Sequence, residues 1–215
     1  MKKYSVVLFD LDGTLSDPKI GITKSVQFAL QKAGIKVNDL DELEPFIGPP
    51  LQVSFREMYD FDDTQITQAI RAYRDRFTES GMFENQLYEG IPALLSNLKE
   101  EGYTLAVATS KPTVFAKQII EYFQLESFFD LIVGSHLDGS RSAKSEIIAE
   151  VLQHFNLYPK EQFIMIGDRN YDVLGAYDNQ IDAIGVTYGY GSLEELKNES
   201  PTYIVDHVSD LQKYL

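Results

Sequence analysis

The sequence predicts an α/β fold: a parallel sheet covered on both faces by helices and interrupted after its first strand by a small all-helical insert. Three observations predict it. A short apolar run near the N-terminus ends abruptly in the polar segment Asp10-Leu11-Asp12-Gly13-Thr14. A long stretch of helical rhythm without a convincing strand follows. From Glu89 onward, helical and strand patterns alternate to the C-terminus, as βα units do.

Each element follows from local chemistry. Tyr4 to Phe9 is apolar and rich in Val, like strands at the buried centre of a parallel sheet. In the insert, Ile20, Ser25, Phe28, Ala29 and Ala33 recur at helical spacing. Gly48-Pro49-Pro50 breaks the pattern before a helix over Leu51–Tyr59. Asp62-Asp63-Thr64 starts another, with Ile66, Ala69, Ile70, Tyr73 and Phe77 on one side. Beyond it, helices are expected over 91–101, 112–123, 144–155, 170–179, 192–197 and 207–214. Strands are expected over 104–108, 131–133, 163–166, 181–186 and 203–205. The result is a three-layer Rossmann-like core that is discontinuous, 1–15 with 87–215, and a helical insert at 16–86. Ligands of open α/β sheets bind at the carboxyl ends of the strands. An insert rooted at the end of the first strand is expected to act as a lid there.

Composition narrows the function classes. The 215 residues are 44% hydrophobic and 12% aromatic, enough for a core and against disorder. The net charge of −14 leaves no basic footprint for a nucleic-acid polymer. The absence of cysteine excludes disulfides, thiolate catalysis and Cys-based zinc sites, and fits a cytoplasmic location. The run before Asp10 is too short and too charged for a signal peptide. No stretch has the length of a membrane span. His136, His154 and His207 are scattered and have no metal-binding spacing. A monomer or weak dimer is expected.

The chemistry gathers at strand ends. The first strand ends in Asp10 and Asp12, the next core strand in Thr109-Ser110-Lys111, and a later one in Asp168, with Asp172 a turn further on. Lys144 opens a helix between them. In a parallel sheet these positions converge on one crevice. Four carboxylates there repel one another unless compensated. A hard divalent cation compensates them, and carboxylates with waters and phosphate oxygens suit Mg²⁺. A carboxylate beside such a cation can attack phosphorus. A second carboxylic acid can protonate the leaving oxygen and then activate water. Thr109 can donate to a phosphoryl oxygen, and Lys144 can hold the nucleophile. Lys111 reads equally well as a phosphate-steering group or a loop cap. Arg169 and the insert's Lys24, Arg56, Arg74 and Arg76 read as surface ion-pair partners. Tyr188-Gly189-Tyr190-Gly191 reads as a glycine-rich turn, without the lysine of a nucleotide phosphate loop.

On these residues the chain resembles the haloacid dehalogenase-like phosphatases that carry a helical cap after the first strand. Asp10-Leu11-Asp12-Gly13-Thr14 resembles the family's first motif, Thr109 its second, Lys144 its third, and Gly167-Asp168-Arg169-Asn170-Tyr171-Asp172 its fourth. The resemblance covers essentially the whole chain. It implies Asp10 as nucleophile and Asp12 as general acid and base. It implies Mg²⁺ held by the Asp10 side chain, the Asp12 carbonyl oxygen and Asp168, with Asp172 in support. Dehalogenation is disfavoured, because dehalogenating members lack the acidic residue at the position of Asp12.

Within the family, Phe46-Ile47-Gly48-Pro49-Pro50-Leu51 and Tyr88-Glu89-Gly90-Ile91 resemble the phosphoglycolate phosphatase and 5′-nucleotidase-like branch. Lys144-Ser145-Glu146-Ile147 departs from the Lys-Pro-x-Pro of many phosphoglycolate phosphatases and looks closer to the nucleotidase-like group. The expected substrate is a small phosphorylated metabolite, a 5′-nucleotide ahead of phosphoglycolate or a sugar phosphate. A phosphomutase like β-phosphoglucomutase, a pyrophosphatase and a non-enzymatic phosphometabolite-binding protein are the alternatives.

Overall fold

The structure, a computed structural model, describes residues 2–215. In chain order the elements are β1 (Val6–Phe9), β2 (Ser16–Asp17), α1 (Lys19–Lys32), α2 (Leu51–Tyr59), α3 (Asp63–Glu79), β3 (Gln86–Leu87), α4 (Ile91–Glu100) and β4 (Thr104–Pro112). They continue with α5 (Thr113–Tyr122), β5 (Leu131–Ser135), α6 (Lys144–His154), β6 (Phe163–Gly167), α7 (Asn170–Asp178), β7 (Asp182–Val186), α8 (Leu193–Glu199) and β8 (Tyr203–Val205). The chain divides into two compact units, one of the described residues up to Ser16 with Leu87–Leu215, the other Asp17–Gln86. No helix among the described residues is long and apolar enough to cross a membrane.

The first unit is built on six strands in the order β5-β4-β1-β6-β7-β8, all parallel. Residues of alternate orientation along β1, Val6 and Leu8 against Val7 and Phe9, are all fully buried. The central strand therefore buries both its faces, which is why it reads as a continuous apolar run. Val6 and Leu8 share a core with Ala106, Met165, Ile148 and Val151 from β4, β6 and α6. Burying each large apolar side chain contributes about 1.5–3 kcal/mol before conformational entropy is counted.

The strand order reverses at β1, with β4 and β5 on one side and β6 to β8 on the other. That reversal leaves a crevice beyond the carboxyl ends of the strands. Register places residues in it. Phe9 pairs with Val107 and with Ile166, and the Asp10 N–H extends the ladder to the Ile166 carbonyl at 2.9 Å. Asp10 and Asp168 thus follow the ends of β1 and β6, and Thr109 lies on the neighbouring β4 two residues beyond Val107, the partner of Phe9. β4 runs further than the predicted 104–108, to Pro112, with a register irregularity against β5 between Thr109 and Pro112.

The second unit is helical apart from Asp17 and Gln86, which belong to the short paired strands β2 and β3. Asp62 caps α3 through a reciprocal pair with Gln65, its side chain accepting the Gln65 N–H. Ile66, Ala69, Tyr73 and Phe77 form the buried side of α3 as predicted, while Ile70, expected with them, is half-buried. In α1 the inward stripe keeps the expected Ser25 and Ala29 and adds Ile22, Val26 and Leu30, while Ile20 is 45% exposed and Ala33 is exposed. The short polar residues Thr23 and Ser25 blur that stripe; both are buried and return their hydroxyls to the Lys19 and Gly21 carbonyls. Asp41–Phe46 forms a 3-10 helix despite Pro45, and Val208–Tyr214, expected as the closing helix, is 3-10 as well. Phe46, Phe55 and Phe61 pack in series, with ring centroids 4.9 and 5.7 Å apart.

Candidate active site

Asp10 leaves β1 with its backbone still on the ladder, so its carboxylate is directed from a rigid element. Asp10 Oδ1 accepts the Leu11 N–H at 2.8 Å and faces Lys144 Nζ at 2.9 Å. Lys144 is the first residue of α6, and its side chain is 4% exposed. Its ammonium also meets Asp172 Oδ1 at 2.7 Å and the Ala108 carbonyl at 3.1 Å. Three oxygens thus surround a group with three donors. Burial alone would lower the lysine's pKa, but the Asp10 and Asp172 carboxylates outweigh it and hold the ammonium charged.

Asp172 lies in the first turn of α7, where Oδ2 accepts the Arg169 N–H at 3.1 Å. A carboxylate is favoured at a helix N-terminus. Its pKa is nevertheless raised, by burial first and by Asp10 as well, against the pull of Lys144. Arg169 and the Asn170 N–H both reach Glu195 Oε1 at 2.9 Å, tying α7 to α8.

Asp168 follows β6 and is 1% exposed. Oδ2 accepts the Tyr190 N–H at 2.8 Å, and Oδ1 lies 3.3 Å from the Thr14 hydroxyl that donates to it. Burial, then the Asp172 and Asp10 charges, push its pKa up to about 8. The surrounding backbone is packed so closely that side chains are excluded. A Cβ on Gly13, whose φ is +83°, would stand 2.2 Å from Asp168 Oδ2, and one on Gly189 would stand 2.4 Å from Asp168 Cβ. The Tyr188 hydroxyl donates to the Thr14 carbonyl at 3.1 Å and fastens the same loop.

Carboxylate oxygens of Asp10, Asp168 and Asp172 all lie within 4.8 Å of one another. All three residues are buried, and Lys144 touches only Asp10 and Asp172 of them. This excess of buried negative charge, with oxygen as the only donor, fits a hard divalent cation.

Asp12 is held separately. Its Oδ2 meets Lys111 Nζ at 2.8 Å, and its Oδ1 is buried without a hydrogen-bond partner among the described residues. Burial raises its pKa; Lys111 opposes that and the Asp10 charge adds to it. Thr109 is 2% exposed, and its hydroxyl oxygen accepts the Lys111 N–H at 3.3 Å.

The structure brings Asp10, Lys144, Asp168 and Asp172 into one cluster, with Asp12 and Thr109 beside it through Lys111. Sequence reasoning left Lys111 undecided and took Tyr188-Gly189-Tyr190-Gly191 for a plain turn; both prove to touch the site. Residue type alone carries no signal for the second, because the decisive group is a backbone N–H. Lys24 and Arg76 pair with Glu84, and Arg56 pairs with Asp63, as ion-pair partners. The three histidines are exposed.

Residues 7–186 match the family model described as haloacid dehalogenase-like hydrolase. The chain belongs to that family. A relative from Pseudomonas aeruginosa named 5′-nucleotidase is 47% identical over 213 residues, covering 99% of this chain and 96% of its own. A relative from Mycobacterium tuberculosis named tyrosine-protein kinase PtkA is 37% identical over 208 residues, covering 97% of this chain and 70% of its own. A solved structure from Clostridium acetobutylicum, described as a predicted phosphatase, matches with a TM-score of 0.95 at 55% identity. It covers 99% of this chain and 98% of its own. This member of the haloacid dehalogenase-like family is a phosphoric monoester hydrolase.

Proposed function

We propose that the chain hydrolyses small phosphomonoesters, 5′-nucleotides foremost, in a Mg²⁺-dependent reaction through an aspartyl phosphate on Asp10. The observation that carries this reading is the division of two neighbouring carboxylates between two ammonium groups. Lys144 holds Asp10 and Lys111 holds Asp12, so the two acids have separate environments and separate tasks.

Asp10, Asp168 and Asp172, with the Asp12 carbonyl oxygen, would hold Mg²⁺. When bound, the ion offsets the carboxylate charge and stabilises charge on the phosphoryl oxygens. The chain's own residues do the rest. An Asp10 carboxylate oxygen attacks phosphorus, and the bond from phosphorus to the ester oxygen breaks. That oxygen takes a proton from Asp12 and departs as an alcohol. The Asp12 carboxylate then takes a proton from water, whose oxygen attacks the aspartyl phosphate. The Asp10–phosphorus bond breaks, releasing inorganic phosphate and restoring both acids. Lys144 fixes Asp10 throughout, and the Thr109 hydroxyl donates to a phosphoryl oxygen.

The name of the Pseudomonas aeruginosa relative supports the nucleotide preference. Phosphoglycolate and sugar phosphates form the next group to try. A panel of phosphomonoesters with Mg²⁺, read as released phosphate, tests the reading. Turnover is expected to be highest on a 5′-nucleotide and to stop on chelation. A folded protein that releases phosphate from no ester overturns it.

A further inference from the structure

Lys111 has a more specific task than balancing charge. Its side chain is 6% exposed, unlike a solvated surface lysine, and its ammonium lies 2.8 Å from Asp12 Oδ2. An ammonium has donors and no acceptor site. The Asp12 oxygen it holds is therefore the one least able to carry a proton. The other oxygen, Oδ1, is buried with no hydrogen-bond partner among the described residues. Such an oxygen is satisfied when it shares a proton with a reacting group.

The backbone presenting Lys111 is fixed from both sides. The Ser110 carbonyl accepts the Ser135 hydroxyl at 2.9 Å, and the Ser110 hydroxyl donates to the Ser142 carbonyl at 3.2 Å. One residue beyond Lys111 and Pro112, Thr113 Oγ1 accepts the Gly134 N–H at 2.9 Å. The lysine thus approaches Asp12 from a pinned segment.

Building on the reading of Asp12 as acid and base, we infer that Lys111 is a positioning residue that engages Asp12 Oδ2 and so makes Oδ1 the proton-transferring atom. In the first step the electron pair of the breaking phosphorus–oxygen bond goes to the ester oxygen. The Oδ1 proton follows it, leaving Asp12 as a carboxylate against Lys111. In the second step Oδ1 takes the proton back from water. The orientation matters most where the leaving oxygen is a poor leaving group and needs that proton.

Single-turnover kinetics with Mg²⁺ test this on two substrates, adenosine 5′-monophosphate with an alkyl leaving group and p-nitrophenyl phosphate with a good one. Lys111→Met is expected to slow the alkyl ester by about 10²-fold, the size of a general-acid contribution. The release of p-nitrophenol should slow far less, and KM should change little for either ester. Lys111→Arg keeps the charge on a differently shaped head and is expected to recover part of the alkyl-ester rate. It also serves should the Met variant fail to fold, when a preferential loss on the alkyl ester remains the expected result. Equal losses on both esters would assign Lys111 a structural role and overturn the inference. A loss confined to KM would make it a phosphate-binding group and overturn it as well. Failure of the broader reading looks different: the wild type then forms no aspartyl phosphate, or Asp10→Asn stays active.

Discussion

Two charged clusters in this molecule are built on opposite balances. In the sheet unit, among the described residues, Asp10, Asp12, Asp168 and Asp172 face two ammonium groups in direct contact, Lys111 and Lys144. In the helical unit, Glu84 receives both Lys24 and Arg76. The consequences are opposite too. Asp12, Asp168 and Asp172 have raised pKa values, whereas that of Glu84 is lowered. A cluster with surplus cations is satisfied by its own residues. A buried cluster with surplus carboxylates is unfinished until a cation or a proton arrives, which marks it as a site for chemistry.

The strongest way to break this contrast is at the nucleophile. Asp10→Asn retains shape and removes the attacking carboxylate. Phosphate release from a good ester is expected to fall by at least about 10³-fold, with the melting transition retained. Turnover near the wild-type rate would remove Asp10 from the reaction. Next in size is the backbone that aims Asp168. Gly189→Ala places a methyl group 2.3 Å from the Gly13 carbonyl and 2.4 Å from Asp168 Cβ, so the loop or the carboxylate must shift. Mg²⁺ affinity is expected to drop about 10–100-fold, as for other changes to groups that orient ligands. Calorimetric titration of the folded variant checks it, and unchanged affinity would show that Asp168 is held without this loop.

How much of this was legible in the sequence follows the distance over which each feature is decided. Asp10 and Asp12 lie on one short segment after an apolar strand, and Asp168 with Asp172 on another, so periodicity and strand-end logic locate them. The parallel sheet was legible because β1 and β6 are apolar throughout, β4 is apolar from Leu105 to Ala108, and helical stretches separate them. Lys111 was ambiguous because its partner Asp12 lies just beyond β1, and only the register between β1 and β4 brings them together. The Tyr190 N–H on Asp168 leaves no trace in residue type. The inward side of α1 was legible at Ser25 and Ala29 but not at Ile20, which is exposed, or at Thr23, which is buried because its hydroxyl is satisfied inside the helix, so polarity did not report exposure there. β4 was predicted too short because Ser110 and Lys111 look like loop residues, although their backbone stays extended.

The carboxylate surplus can also be tested without turnover. Asp168 has a folded pKa near 8, above the ordinary 3.8, so the folded state binds this proton more tightly than the unfolded state. Its contribution is most favourable at acid pH and is lost as pH rises through about 8. Asp168→Asn is uncharged at every pH. In chelator-treated protein it is expected to gain on the order of 1–3 kcal/mol over wild type near pH 9, and little near pH 4. Thermal melts across that range check it, and added Mg²⁺ should narrow the gap by stabilising only the wild type. A variant less stable than wild type at alkaline pH without metal would show that the cluster is self-sufficient, like the one around Glu84.

The smallest effect is expected in that second cluster. Glu84 Oε1 accepts from Lys24 at 2.9 Å and Oε2 from Arg76 at 2.8 Å, while Arg76 also donates to Ser25 at 3.1 Å. Burial pushes the Glu84 pKa up, but the hydrogen bonds and charges of Lys24 and Arg76 bring it below the ordinary carboxylate value. The sign is the reverse of that at Asp168. Glu84 adds stability above the ordinary carboxylate range, and the gain disappears as pH falls through its lowered value. Partial exposure screens the ion pairs, so Glu84→Gln is expected to cost only about 1 kcal/mol at neutral pH, with turnover of p-nitrophenyl phosphate retained. The melting temperatures of variant and wild type should converge in acid, where Glu84 is protonated in both states. A constant gap at all pH values would assign the loss to packing, and the contrast between the clusters would then rest on the carboxylate-rich one alone.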